Sequence, residues 1–230
     1  MEAYLHNFCF EILPYISVAV LVIGSILRMD RDPYSWRAKS SQFLRKKRMV
    51  LASNLFHVGI LFLFVGHFVG LLTPKEVYHA LGLTTEAKQL LAMISGGLAG
   101  TMCLVGLSMF MWRRLAIDRI RINSSMMDFV VLFMLLGQLL LGLMSIGASS
   151  QHMDGSSMVA LANWAQYIVT FRPNAAEFLI GIHWIFKAHI VLGLMIFIIT
   201  PFSRLVHMFS APLGYLFRTG YQIVRRRANQ

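Results

Sequence analysis

Charged residues are scarce in this chain, and acidic residues are the scarcest. Only 13% of the 230 residues are Asp, Glu, Lys or Arg, and acidic residues number 10 against 21 basic ones. A soluble domain carries about 25% charged residues, so a soluble globular fold is excluded. The 57% hydrophobic content and the mean hydropathy of +0.64 indicate an integral membrane protein instead.

Cysteine is also rare, and its placement excludes several metal and redox classes. Cys9 and Cys103 both lie inside apolar runs, and the sequence has no CxxC or CxxCH motif. A disulfide scaffold, a thiolate zinc site and c-type haem attachment are therefore excluded. The net charge of +11 does not indicate nucleic-acid binding, because the basic residues fall in short loops between apolar runs.

Five apolar runs are long enough to cross a bilayer: about residues 4–27, 50–72, 89–112, 127–148 and 182–207. With five crossings, 17 of the 21 Lys and Arg residues fall on one side and only Lys75, Lys88, Arg172 and Lys187 on the other. Because positive charge stays on the cytoplasmic side, we expect a single all-α transmembrane domain. Its N-terminus lies outside, and residues 208–230 form a basic cytoplasmic tail.

Three further segments carry local predictions. The first loop, residues 28–49, holds eight basic residues and either docks a cytoplasmic partner or only sets topology and touches anionic lipid. Pro14 is expected to kink the first span. Residues 158–170 are expected to form an amphipathic helix on the outer surface, with Trp164 and Tyr167 at the membrane interface.

Two spans carry paired histidines at membrane depth, where ionisable residues indicate function. His57 and His67 lie on the second run, VLASNLFHVGILFLFVGHFVGLL, and His189 and His207 lie on the fifth. These spans are predicted to be antiparallel, so equal depth pairs His67 with His189 near the outer face and His57 with His207 near the inner face.

The helical spacing supports this pairing only in part. The step from His189 to His207 is about five whole turns, and His57 and His67 are about 80° apart on their helix. The axial distance between the two histidines differs between the spans: it is about 15 Å from His57 to His67 and about 27 Å from His189 to His207. Helix crossing, tilted ligand planes and a kink at Pro201 together are expected to absorb that difference.

Two histidines per site favour haem over zinc. Zinc requires four ligands or an open water position, whereas haem iron needs only axial ligands. Gly66 and Gly70 near His67, and Gly193 beyond His189, are expected to leave room for a macrocycle. Two histidines per iron indicate electron transfer, with a quinol as donor and an acceptor on another protein.

Several motifs resemble the gamma subunit of membrane-bound respiratory nitrate reductase, over nearly the whole chain. They are NLFHVGI at His57, FVGHFVG at His67, QHMDGS at 151–156, WAQYIVTF at 164–171, PFSRLVH ending at His207, and YSWRAKSSQ in the first loop. The resemblance implies a five-helix protein of the bacterial inner membrane with two stacked b haems between helices two and five.

The same resemblance implies the roles of residues and partners. His57, His67, His189 and His207 would be the axial ligands, and menaquinol or ubiquinol would be oxidised near Lys88 and Gly66 on the outer side. An iron–sulfur (beta) subunit and a molybdopterin catalytic (alpha) subunit would dock on the cytoplasmic face and reduce nitrate to nitrite. Lys88 is otherwise an interfacial lysine, and Arg204 is either a haem propionate partner or a topology charge.

Two other functions stay open from the sequence. The chain would serve equally as the haem b anchor of another reductase, because the terminal substrate is bound elsewhere. A proton or metal transporter, or a structural anchor, is the alternative from a different class. Transporters commonly show inverted repeats or broken helix pairs, and none is evident in this sequence.

Overall fold

Five long helices dominate the computed structural model, which describes residues 1–36 and 48–210. They are span one (Glu2–Arg31), span two (Met49–Leu72), span three (Thr85–Ala116), span four (Met126–Ser149) and span five (Trp184–Phe202), and each is long and apolar enough to cross a membrane. No strand occurs in the described ranges. The predicted all-α fold with five spans is confirmed. The tail beyond Ser210 and residues 37–47, half of the first loop, lie outside the described residues.

Short helices connect the spans at both ends of the bundle. Lys75–Ala80 and Ser156–Val169 lie at one end, and Asp118–Ile122 lies at the other. The latter end also carries Arg28, Arg31, Arg113, Arg114, Arg119, Arg121 and Arg204, and we call it the basic end. Span two packs against span three and against Ser156–Val169, whereas span five packs against spans one and four. Spans two and five are thus supported by different neighbours.

Two glycines let spans two and three pack backbone to backbone. A Cβ atom at Gly106 would lie 2.5 Å from the Phe56 nitrogen and 2.8 Å from the Ala52 oxygen. A Cβ atom at Gly59 would lie 2.8 Å from the Ala99 oxygen. Because only glycine fits at such close approaches, these positions fix the distance between the two helices.

Pro14 perturbs span one through a π-helical turn rather than an open break. Proline lacks an N–H and cannot bond the carbonyl four residues earlier, which belongs to Phe10. The turn before it, Phe8–Ile12, is π-helical, and the Trp164 indole donates to the Phe10 oxygen at 2.8 Å. The expected helix at 158–170 is present as Ser156–Val169. Its Trp164 is only 9% exposed, so this side chain packs inside the protein instead of facing outward from the helix.

Span five ends earlier than its apolar run. The α-helix stops at Ile199, a 3₁₀ turn covers Thr200–Phe202, Ser203 is extended, and a second 3₁₀ helix covers Arg204–Ser210. The prediction of one helix over residues 182–207 is therefore wrong at its C-terminal end. Arg28 donates to the oxygens of Pro201 and Ser203 at 2.6 and 2.7 Å, which provides donors for two carbonyls just beyond the end of the α-helix.

Candidate functional site

The structure brings the four membrane histidines together as two pairs. The ring centroids of His57 and His207 lie 6.2 Å apart, and those of His67 and His189 lie 6.0 Å apart. These are the pairs expected from matching depth on antiparallel spans. His207, however, projects from the 3₁₀ helix Arg204–Ser210 and not from span five itself.

The helix break removes the mismatch in rise between the two spans. His57 and His67 are separated by about 15 Å along span two. From His189 the α-helix continues only to Ile199, which is also about 15 Å. The chain then turns at Ser203 instead of continuing along the axis, and it brings His207 back to the depth of His57.

All four histidines share one hydrogen-bonding pattern. In each ring Nδ1 lies within hydrogen-bond distance of a backbone carbonyl: Ser53 for His57 (2.8 Å), Leu63 for His67 (2.7 Å), Gln138 for His189 (3.1 Å) and Arg204 for His207 (2.6 Å). A carbonyl only accepts, so Nδ1 must donate and Nε2 keeps its lone pair. This tautomer is the one in which a metal-ligating imidazole is oriented by its second nitrogen.

The separations of the rings fit two axial ligands on one iron. A metal–nitrogen bond of about 2 Å and about 1.2 Å from Nε2 to the ring centre place the two centroids about 6.3 Å apart. In the described ranges no third His, Cys, Asp or Glu joins either pair to form a metal site. Two nitrogens alone suit a metal whose remaining ligands come from a macrocycle.

Space for a macrocycle is found beside span two. The side chains of His57 and His67 are exposed, and a Cβ atom at Gly66 or Gly70 would meet nothing within 4 Å. Gly193 differs from the expectation, because a Cβ there would lie 3.1 Å from the Gln138 amide nitrogen. The residues present therefore fit haem b, with the open side on span two rather than on span five.

Two residues on span four, Gly142 and Gln138, lie against His189 and were not predicted as site residues. A Cβ at Gly142 would lie 3.0 Å from the His189 Cε1 atom, so glycine makes room for the ring. Gln138 donates its amide to His189 Nε2 at 3.3 Å. The Gln138 amide occupies the position that a metal bound to His189 Nε2 would take. Its side chain would therefore have to change rotamer when His189 binds a metal.

Arg204 pairs with a protein carboxylate at the basic end. Its guanidinium forms an ion pair with Asp128, and Arg114 binds the same Asp128 oxygen at 2.8 Å. Asp128 was not predicted as a site residue. The available signal was its position as the one acidic residue within span four, since ionisable residues at membrane depth indicate function.

Lys88 and Gly66 lie at the end of the bundle opposite the basic end. Gly59 opposes Ala99 and Cys103, and Gly106 opposes Ala52 and Phe56. This register places Lys88 level with the end of span two, about 9 Å along the axis beyond Gly66.

The Lys88 side chain is buried, with 8% of its surface exposed. Its Nζ lies 4.0 Å from the centroid of the Tyr78 ring, and the Tyr78 hydroxyl lies 3.4 Å from the Thr85 hydroxyl. Lys88 is thus held inside the protein against an aromatic ring, whereas an interfacial lysine would extend into solvent.

Fold and site together define a five-span membrane protein with one histidine pair near each end of the bundle. Residues 6–227 match the profile of the nitrate reductase gamma subunit family. The chain is 50% identical to the respiratory nitrate reductase 1 gamma chain of Escherichia coli K12, over 97% of this chain and 99% of that protein. The chain therefore belongs to the nitrate reductase gamma subunit family.

Two further relatives also match over nearly the whole length of both chains. The respiratory nitrate reductase 2 gamma chain of Escherichia coli K12 is 49% identical over 99% of this chain and 100% of its own length. The nitrate reductase gamma chain of Bacillus subtilis 168 is 39% identical over 94% of this chain and 96% of its own length. This membrane protein is accordingly a subunit of a respiratory nitrate reductase and works in a complex with other subunits.

Proposed function

We propose that this subunit is a di-haem cytochrome b that oxidises quinol at the end opposite the basic end and transfers the electrons to partner subunits at the basic end. One observation carries the proposal. Two histidine pairs with centroids 6.0 and 6.2 Å apart lie at two depths of the bundle, and every Nδ1 is bonded to a carbonyl.

The two sites have defined ligands. His67 and His189 would hold one haem b, and His57 and His207 would hold the other. Held by two imidazoles at each site, haem would supply one-electron transfer and would leave no position for oxygen to bind. The backbone carbonyls hold the rings in the ligating tautomer, which raises their basicity toward the iron.

Lys88 and Gly66 are proposed for the quinol site, with menaquinol or ubiquinol as substrate. The buried Lys88 ammonium would donate a hydrogen bond to a quinol oxygen and stabilise the negative charge that develops as the hydroxyl loses its proton. Gly66 faces open space, so a flat ring can approach the backbone of span two beside His67. The two protons of the quinol would be released on this side of the membrane.

The basic end is proposed to face the cytoplasm, because cytoplasmic loops carry the excess of Lys and Arg. An iron–sulfur subunit and a molybdopterin catalytic subunit, where nitrate would be reduced to nitrite, would dock there. The bacterial inner membrane is the corresponding location. Arg204, which pairs with Asp128 at this end, is also proposed as a partner of a haem propionate.

Haem stoichiometry with quinol reduction tests the proposal. The complex is purified in detergent from haem-replete cells, and a pyridine haemochrome assay is combined with protein quantitation. We expect about two b haems per chain, both reduced when a quinol is added anaerobically. A chain without b haem, or with haem that a quinol leaves oxidised while dithionite reduces it, would overturn the proposal.

A further inference from the structure

We propose that Asp128 is a positioning residue for His207: through Arg204 it holds the ligand at the basic end in place and thereby controls occupancy of that haem site alone. The inference rests on the proposed function and goes beyond it, since Asp128 is neither a ligand nor a propionate partner. It arises from the helix break, which places His207 on a separate 3₁₀ helix, Arg204–Ser210, outside the rigid part of span five.

The contacts of Asp128 form a direct route to that helix. Its carboxylate pairs with the guanidinium of Arg204, which is the first residue of the 3₁₀ helix. The Arg204 carbonyl in turn accepts from His207 Nδ1 at 2.6 Å. One residue therefore connects the carboxylate on span four with the bond that selects the tautomer of His207.

Asp128 is itself held firmly. The residue is 5% exposed, and the same carboxylate oxygen accepts from the Ser125 backbone nitrogen at 2.9 Å and pairs with Arg114 at 2.8 Å. Arg114 also donates to the Ser124 hydroxyl at 3.0 Å. Contacts at the ends of spans three and four therefore hold the carboxylate independently of Arg204, as a positioning group requires.

Removing the charge of Asp128 has a specific consequence. Arg114 and Arg204 would remain near each other without their shared carboxylate, and like charges repel strongly where little water screens them. The guanidinium of Arg204 would move away and carry the start of the 3₁₀ helix with it. The hydrogen bonds from Arg28 to Pro201 and Ser203 would still hold the preceding turn. The displacement should therefore be confined to the His207 segment.

The chain offers a matched control at the same end. Asp118 pairs with Arg121 at 2.7 Å, but both side chains are more than half exposed. Asp118→Asn removes the same charge from the same end without touching the His207 segment. Asp128→Glu keeps the charge and serves as the conservative variant.

The experiment compares wild type, Asp128→Asn, Asp128→Glu and Asp118→Asn in the full complex in membranes. Haem per chain and the low-spin ferric EPR signals are measured, with each signal assigned beforehand from His57→Ala and His67→Ala. We expect Asp128→Asn to lose half or more of the His57/His207 signal while the His67/His189 signal stays unchanged. Asp128→Glu should restore most of the lost signal, and Asp118→Asn should match wild type.

Three results would overturn the inference while leaving the proposed function intact. They are a wild-type spectrum in Asp128→Asn, an equal loss of both signals, and a change in reduction potential with unchanged occupancy and g values. The first shows no role, the second a general folding role, and the third an electrostatic role without positioning. A wild-type complex that lacks both signals would overturn the proposed function and this inference together.

Discussion

Gly106 should be intolerant of even one methyl group, because it sets the distance between spans two and three beside a proposed haem ligand. The added Cβ in Gly106→Ala would lie 2.5 Å from the Phe56 nitrogen, whereas ordinary contacts begin at 3.4 Å. The contacted Phe56 nitrogen is a backbone atom within a helix, so it cannot rotate away as a side chain would. Span two must therefore move by about 1 Å at Phe56 and at the adjacent His57.

The size of this effect follows from two opposing terms. Overpacking costs about 1–3 kcal/mol, while replacing a helical glycine by alanine gains roughly 0.5–1 kcal/mol. The clash is with helix backbone, so the upper part of the overpacking range applies, about 2–3 kcal/mol. The net destabilisation is therefore about 1–2.5 kcal/mol, and the melting temperature should fall by about 2–10 °C. The displacement of His57 should also broaden the EPR signal of the His57/His207 site.

The matched control is Gly96→Ala on the same span. A Cβ at Gly96 would meet nothing within 4 Å. Only the higher helix propensity of alanine then acts, so the melting temperature should stay the same or rise. Thermal unfolding of the purified complex, followed by the loss of haem absorbance, measures both variants. Equal melting temperatures for Gly106→Ala and wild type would refute the close packing on which this reasoning depends.

Three further predictions concern the opposite end of the bundle. Lys88→Ala should lower kcat/KM for quinol by about 10- to 100-fold, because a charged hydrogen bond contributes about 1.5–3 kcal/mol; unchanged steady-state kinetics would remove Lys88 from the site. Gly142→Val should displace the His189 ring and alter only the His67/His189 EPR signal, and an altered His57/His207 signal instead would contradict the geometry. Trp164→Phe removes the indole donor to the Phe10 carbonyl and should destabilise the complex by about 0.5–1.5 kcal/mol in thermal unfolding, whereas an unchanged melting temperature would show that Pro14 requires no such compensation.

Much of the fold could be predicted from the sequence, because membrane spans have a strong local signal. Apolar runs of bilayer length and the distribution of Lys and Arg depend on composition alone. The depth pairing of His67 with His189 and of His57 with His207 followed from antiparallel topology. The five spans are confirmed, and these are the histidine pairs that the structure brings together.

The rest depends on tertiary contacts that leave little trace in the sequence. The apolar run of span five continues past Ile199, and the helix ends only because Pro201 and the Arg28 bonds to its carbonyl favour a turn there. Gly142 matters only because His189 packs on it from another span. Trp164 lies inside because Pro14 leaves the carbonyl of Phe10 to be satisfied, and that pairing joins residues 154 positions apart.

The most direct test of the central claim is the haem content of two double variants of the purified complex. His57→Ala/His207→Ala removes both ligands of one proposed site, whereas His57→Ala/His189→Ala removes one ligand from each. We expect about one b haem per chain for the first variant and almost none for the second. Loss of both haems in the first variant, or retention of one intact bis-histidine haem in the second, would contradict the two pairs on which the proposed function rests.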